Sequence, residues 1–154
     1  MLNFGNKEIS EFISCDKPEI LSLYGPASSG KTTLCLMATA ALAKEGKKIV
    51  FIDTEGGFNV ERLSQIAGWS YLEILDKILL LKIKNFDDQC NKIEQLKRLV
   101  NIDLVVIDTL SFFYRKVLNN NPQDINKCMY KQLKTLAELT RKGVFVIMSN
   151  QVYA

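Results

Sequence analysis

The sequence predicts an α/β fold of three layers, built around a mostly parallel five-stranded sheet. Three observations point there. The apolar runs Lys48–Asp53, Leu104–Asp108 and Val144–Met148 are nearly continuous, as in strands buried on both faces. Amphipathic helical patterns separate the apolar runs along the chain, the alternation of a parallel sheet with crossover helices. Between the first apolar run and the first helical pattern stands Gly25-Pro26-Ala27-Ser28-Ser29-Gly30-Lys31-Thr32, a Gly-x-x-x-x-Gly-Lys-Thr segment in strand–loop–helix context. At 154 residues the chain is one domain at most.

Taken in order, residues 1–18 read as a polar lead-in. Phe4, Ile9, Phe12 and Ile13 in it are spaced for a short amphipathic helix that ends near Cys15-Asp16-Lys17-Pro18. Ile20–Tyr24 is the first strand. A helix from Lys31 to Glu45 stops at Gly46, which suits a left-handed C-terminal position. Lys48–Asp53 is the second strand. After Gly56-Gly57, a short helix spans Asn59–Ala67, Gly68 ends it, and Tyr71–Asp76 is a further turn. Lys77–Ile83 is the third strand. Asn85–Leu99 reads as an amphipathic helix, with Ile93, Leu96 and Leu99 on its apolar face and Asp87-Asp88 at its positive end. Leu104–Asp108 is the fourth strand. Ser111–Leu118 is apolar and aromatic, with a basic pair at Arg115-Lys116, and Asn119–Pro122 reads as a loop. A long helix from Asp124 to Lys142 stops at Gly143, before the fifth strand, Val144–Met148.

Composition narrows the function classes. Hydrophobic residues make up 47% of the chain, enough for a real core, and the net charge of +3 is too small to argue nucleic-acid binding by itself. There is no histidine, and the four cysteines, Cys15, Cys35, Cys90 and Cys128, form no Cys-x-x-Cys pair. That argues against a zinc site and excludes histidine acid–base chemistry. Cys35 and Cys128 fall in helical apolar patterns and read as buried, reduced thiols. No signal-peptide pattern and no apolar run of membrane-span length stand out, so the expectation is a soluble cytoplasmic protein with no membrane partner.

The Gly25–Thr32 segment has a chemical reason for its spacing. Glycines at both ends let the backbone wrap a phosphate with its N–H groups pointing inward, and the following helix turns its positive end to the same anion. Gly25, Pro26, Ala27, Ser28, Ser29, Gly30, Lys31, Thr32 and Thr33 are therefore the nucleotide-binding candidates, with ATP as the ligand. Lys31 reaches the β- and γ-phosphates, and the Thr32 hydroxyl suits Mg²⁺, a hard cation that takes oxygen ligands. Asp108 ends an apolar run, the pattern that delivers a carboxylate to the Mg²⁺ region, as a ligand directly or through water.

Four polar groups then fall at predicted strand ends, where ligands of such sheets bind: the phosphate loop, Asp53-Thr54-Glu55, Asp108-Thr109 and Ser149-Asn150-Gln151. From spacing alone, Glu55 reads equally as a water-orienting carboxylate and as a surface acid at a strand end. Gln151 reads first as an ordinary polar residue, and second as an amide that senses the γ-phosphate. Lys127, Lys131 and Lys134 share one face of the last helix and read as a solvated face rather than a phosphate-binding row. Trp69 and Tyr71 read as packing residues rather than base-stacking platforms.

Four stretches carry a resemblance to a known family. They are the phosphate loop, Phe51-Ile52-Asp53-Thr54-Glu55-Gly56-Gly57-Phe58 with Val60-Glu61-Arg62-Leu63, the strand into Asp108, and Ser149-Asn150-Gln151-Val152. Together they resemble the RecA-type recombinase superfamily and, within it, the archaeal RadA and RadB families. Arg62-Leu63-Ser64-Gln65-Ile66-Ala67 is most similar to RadB. The resemblance covers roughly residues 20 to 153 and implies a RecA-like P-loop NTPase core with strand order third-second-fourth-fifth-first.

On this chain's matching positions, the resemblance implies Glu55, with Lys31 and Gln151, as the catalytic set. Glu55 activates the hydrolytic water, and Gln151 is the γ-phosphate-responsive residue that links nucleotide state to DNA. It implies Arg62 packing on the adenine, and Arg115 and Lys116 as DNA contacts at the start of the first DNA-facing loop. Single-stranded or branched DNA and a recombinase or a second copy of the chain are the implied partners. The implied function is ATP- and Mg²⁺-dependent assistance of homologous recombination and DNA repair, with a DNA-dependent ATPase that is weak or absent.

The family continues past the glutamine into a second DNA-binding loop and further strands beside the first. This chain stops at Ala154, so the expectation is a single, incomplete domain over 1–154, without the C-terminal strands and with Ile20–Tyr24 at the sheet edge. Two other readings stay open. One is a non-catalytic nucleotide-binding module that docks a recombinase or a missing C-terminal half. The other is a KaiC-like signalling ATPase of the same superfamily.

Overall fold

The computed structural model describes residues 1–68 and 71–152. Five strands, β1 (Ile20–Gly25), β2 (Ile49–Asp53), β3 (Ile78–Lys82), β4 (Leu104–Asp108) and β5 (Phe145–Gln151), form one sheet in the order β1-β5-β4-β2-β3. Every pairing is parallel. Among the described residues there are seven α-helices: α1 (Lys7–Ile13), α2 (Lys31–Lys44), α3 (Val60–Ala67), α4 (Tyr71–Leu75), α5 (Phe86–Gln95), α6 (Phe112–Val117) and α7 (Pro122–Arg141). Among the described residues no helix is long and apolar enough to cross a membrane.

Alternation along the strands sorts the core into two halves. Ile49, Phe51, Leu104, Val106 and Ile147 join Leu36, Ala40, Leu63 and Ile74 from α2, α3 and α4. Val50, Ile52, Val105, Ile107 and Val146 join Ile93, Leu96, Leu136 and Leu139 from the α5 and α7 side. β2 and β4 are buried at every position, which is why they read as continuous apolar runs. The three layers are those the sequence predicts and the strand order is the one the family resemblance implies, with β1 at one edge of the described sheet.

Register places the site. Asp53 lies opposite Asp108, Ile107 opposite Met148, and Gly25 opposite Gln151, so the polar strand ends meet along one rim.

Several expectations need correction. The lead-in is part of the core: Leu2, Phe4 and Cys15 are each 1% exposed, and the Leu2 N–H donates to the Cys15 carbonyl at 2.7 Å. Phe4 precedes α1, while Phe12 is 91% exposed and takes no part in the apolar face. The fifth helix ends at Gln95, a 3₁₀ turn covers Leu96–Arg98, and Leu99 therefore falls off the buried stripe and is exposed. Pro122 is not loop but the first residue of α7, where its missing N–H costs nothing, and Asn121 caps the helix by accepting from the Asp124 N–H.

Cys128 is not a free thiol: it is joined to Cys90 in a disulfide that ties α7 to α5. Cys15 and Cys35 are free and buried. Tyr71 packs against the first core half, and Lys127, Lys131 and Lys134 are exposed, both as expected. Trp69 lies outside the described residues.

Candidate nucleotide-binding site

β1 delivers the chain into the loop and α2 takes it out. Gly30 sits at φ +90°, where glycine is favoured, and a side chain at Gly25 would stand 2.8 Å from Ser29 Oγ and force that hydroxyl to turn away. The Lys31 ammonium folds back across the loop, donating to the carbonyls of Gly25 (3.0 Å) and Pro26 (2.6 Å) and to Ser29 Oγ (3.2 Å). The loop thus holds its own cation over the concavity, bonded to groups that a phosphate can replace.

The Thr32 hydroxyl donates to Asp108 Oδ2 at 2.7 Å, and the Ser149 hydroxyl donates to Asp108 Oδ1. Asp108 is 3% exposed, so both of its oxygens are satisfied by side chains at the rim. Next to it, Cys35 is buried, and its thiol is pushed well above its ordinary range first by burial and then by the Asp108 carboxylate. It stays protonated and is no nucleophile.

The β2 end is organised by Asp53, which is 2% exposed. Its carboxylate accepts from the N–H groups of Gly56 (2.8 Å), Gly57 (3.0 Å) and Phe58 (3.2 Å), turning the loop that carries Glu55. Phe58 anchors that loop edge-to-face on Phe51 at 5.0 Å. Thr54 and Thr109 lock the two strand ends together: the Thr109 N–H donates to Thr54 Oγ1 (2.7 Å), and Thr54 Oγ1 donates to the Thr109 carbonyl (2.8 Å). The Thr109 hydroxyl then donates to Glu55 Oε1 at 2.5 Å.

α3 starts at the cap Asn59, whose side chain accepts from the Glu61 and Arg62 N–H groups. This sets Arg62 in the first turn, and its guanidinium donates to Thr33 Oγ1 at 2.5 Å, bridging α3 to α2 over the loop.

One cavity of about 410 Å³ gathers these groups. Its wall includes Ala27 to Thr33, Glu55, Gly57, Arg62, Asp108, Thr109 and Gln151. Gly25 and Pro26 stand outside the wall and act through the carbonyls that hold Lys31. Arg115 and Lys116 lie away from it. The Arg115 guanidinium donates to Ser111 Oγ (3.1 Å) and to the Gln151 carbonyl (3.2 Å), so it braces α6 against the end of β5. The Lys116 ammonium sits 3.9 Å from the centre of the Phe112 ring and is exposed.

Asp53 as loop organiser and Thr109 as partner of Glu55 are roles the sequence reading did not assign. The only sequence signal for either was its place in a polar strand end.

Whether Mg²⁺ fits can be judged from Gly57. A Cβ there would stand 3.3 Å from Asp108 Oδ2 and 3.7 Å from Thr32 Oγ1, so the glycine keeps space open over the two candidate ligands. Among the described residues no cluster of three or more Asp, Glu, Cys or His side chains could hold a metal alone. Two hard oxygen donors beside a phosphate-binding loop suit a cation that completes its shell with phosphate and water, as Mg²⁺ does.

Fold and rim together have the form of a RecA-like P-loop core, and residues 15–150 match the family described as AAA domain. The chain is 36% identical over 144 residues to the DNA repair and recombination protein RadB of Methanosphaera stadtmanae, covering 90% of this chain and 62% of that one. It is 33% identical over 141 residues to RadB of Methanococcus maripaludis (89% and 66%). With RadB of Methanocaldococcus jannaschii it shares 32% over 145 residues (90% and 68%). The chain belongs to the RadB family of the RecA superfamily. It spans under two thirds of the length of the first two of these relatives.

Proposed function

We propose that this chain is an ATP- and Mg²⁺-binding RecA-type core that assists homologous recombination and DNA repair, with at most a slow DNA-dependent ATPase. The observation that carries the reading is convergence. Four separate strand ends bring a phosphate loop, a Thr32–Asp108 pair, Glu55 and Gln151 to one cavity. The names of the relatives, DNA repair and recombination proteins, supply the biological setting.

In this reading the loop amides from Ala27 onward and Lys31 bind the phosphates, and Arg62 leaves Thr33 to pack on the base. Thr32 and Asp108 hold Mg²⁺, which when bound neutralises phosphate charge as it builds. Glu55, with one oxygen held by Thr109, presents the other to a water and accepts its proton. Gln151 faces the cavity while its carbonyl is held by Arg115, so a change at the γ-phosphate side is transmitted toward α6 and Lys116, the DNA-facing candidate. A recombinase or a second copy of the chain is the proposed protein partner.

Phosphate release measured with and without single-stranded DNA tests the catalytic half. Slow, DNA-stimulated release that Glu55→Gln abolishes is expected. Nucleotide binding with no release above background under either condition makes the chain the non-catalytic docking module instead.

A further inference from the structure

Cys90 on α5 and Cys128 on α7 are joined across the side of the molecule opposite α2. Both are half-buried and line a groove of about 580 Å³ together with Glu94, Lys97, Lys131 and Lys134. A bond that served only as a staple would need no polar company, yet this one has it. The Gln132 amide, 2% exposed, donates to Cys90 Sγ at 3.1 Å and lies 3.9 Å from Cys128 Sγ. Gln132 Oε1 accepts from Gln89 Nε2 at 2.9 Å, and Gln89, fully buried, also donates to the Leu110 carbonyl at 3.0 Å. Burying two amides is costly unless their groups are bonded, and Gln89 Oε1 has no partner among the described residues. N–H donors on a sulfur stabilise the thiolate that leaves when a disulfide is attacked.

The groove also selects by charge. Lys97 pairs with Glu94 (2.9 Å) and Glu138 (3.6 Å), while Lys131 and Lys134 form no ion pair among the described residues. Three cations thus stand against two anions beside an accessible disulfide.

We propose that Cys90–Cys128 is a thiol–disulfide exchange site whose groove accepts an anionic low-molecular-weight thiol. The incoming thiolate attacks one Sγ, forming a mixed disulfide and releasing the other cysteine as a thiolate held by Gln132. A second thiol molecule then displaces the first, leaving as the small disulfide. Two electrons pass from the two small thiols to the protein, and their two protons end on Cys90 and Cys128. The same small disulfide, run in reverse, is the oxidant. In the reduced state α5 and α7 are held by packing, the amide pair and the bond that the Thr135 hydroxyl donates to Glu94 Oε2 at 3.1 Å.

The wild-type chain serves for the test. Peptide mapping of protein purified without reductant is expected to show the Cys90 and Cys128 peptides linked, with Cys15 and Cys35 titrating only after denaturation. At low salt and equal thiolate concentration, 3-mercaptopropionate is expected to open the bond at least about threefold faster than the cationic thiol cysteamine. The preference should collapse in the Lys131→Gln/Lys134→Gln double variant, whose changed residues are exposed. Four free thiols in the unreduced protein overturn the proposal, as do equal rates for the two reagents.

Discussion

Gly57→Ala isolates the proposed metal site from the rest of the pocket. Gly57 is outside the left-handed region, so alanine meets no backbone strain, and its N–H keeps the bond to Asp53. The added carbon would stand 3.3 Å from Asp108 Oδ2 and 3.4 Å from Thr32 Cγ2, tighter than ordinary contact. The methyl occupies the room where Thr32 and Asp108 would share a hydrated cation. Losing one well-made polar contact there costs about 1–2 kcal/mol, or about 5–30-fold in affinity.

The narrower unfolded ensemble of alanine is worth about 0.4–1 kcal/mol, and the close approach to Asp108 Oδ2 offsets it, so the fold should stay near wild-type stability. The assay is calorimetric ATP titration of wild type and variant, each with Mg²⁺ and with a chelator, beside a thermal melt. The expected result is weaker binding with Mg²⁺, equal binding without it, and a melting temperature near that of wild type. If the variant keeps the wild-type Mg²⁺ dependence with its melt intact, the assignment of Thr32 and Asp108 to the metal is wrong.

Further outcomes follow from the same geometry. Thr109→Val frees the Glu55 carboxylate, so DNA-stimulated phosphate release should fall about tenfold, the rough share of one hydrogen bond, with ATP affinity within twofold; Thr109→Ser should restore the rate. Reducing Cys90–Cys128, which closes a separation of 38 residues, should lower stability by about 4 kcal/mol on the chain-entropy account, read as a melting temperature lower by about 10 °C. Cys15 adds a pH dependence: burial first, then the Glu19 carboxylate, pushes its thiol from 9.0 up to about 12. Its contribution is whole below pH 9 and is lost as pH rises toward 12, because only the unfolded chain ionises in that window. In denaturant titrations at pH 8 and 10, wild type should therefore lose more stability than Cys15→Ala; parallel losses would contradict the assignment.

Much of this architecture was legible because its signals are local. β2 and β4 are buried on both faces and announce themselves as unbroken apolar runs, and a glycine ends α2 and follows α7. The phosphate loop and the acids at the strand ends could be read for the same reason: each sits a fixed step from an apolar run.

What escaped depends on contacts distant in sequence. Nothing near Cys90 or Cys128 says that α5 and α7 bring them together, and nothing near Thr109 says that its hydroxyl meets Glu55 across 54 positions. The burial of Leu2 and Phe4 likewise needs the chain to fold back so that Leu2 meets Cys15. Pro122 was a misread local signal: Asn-Pro suits a turn, but Asn121 as cap with Pro122 behind it begins a helix equally well.

The claim on which the rest depends is that the cavity at the strand ends binds a nucleotide through the Gly25–Thr32 loop. Calorimetric titration of the chain with ATP and Mg²⁺, repeated on Lys31→Ala, tests it most directly. Among the described residues Lys31 bonds only to its own loop, through Gly25, Pro26 and Ser29, so its removal should leave the fold intact. The predicted result is saturable binding in the micromolar range, about −8 kcal/mol, that is lost in the variant. An unchanged isotherm in Lys31→Ala, or a flat one in the wild type, would contradict it.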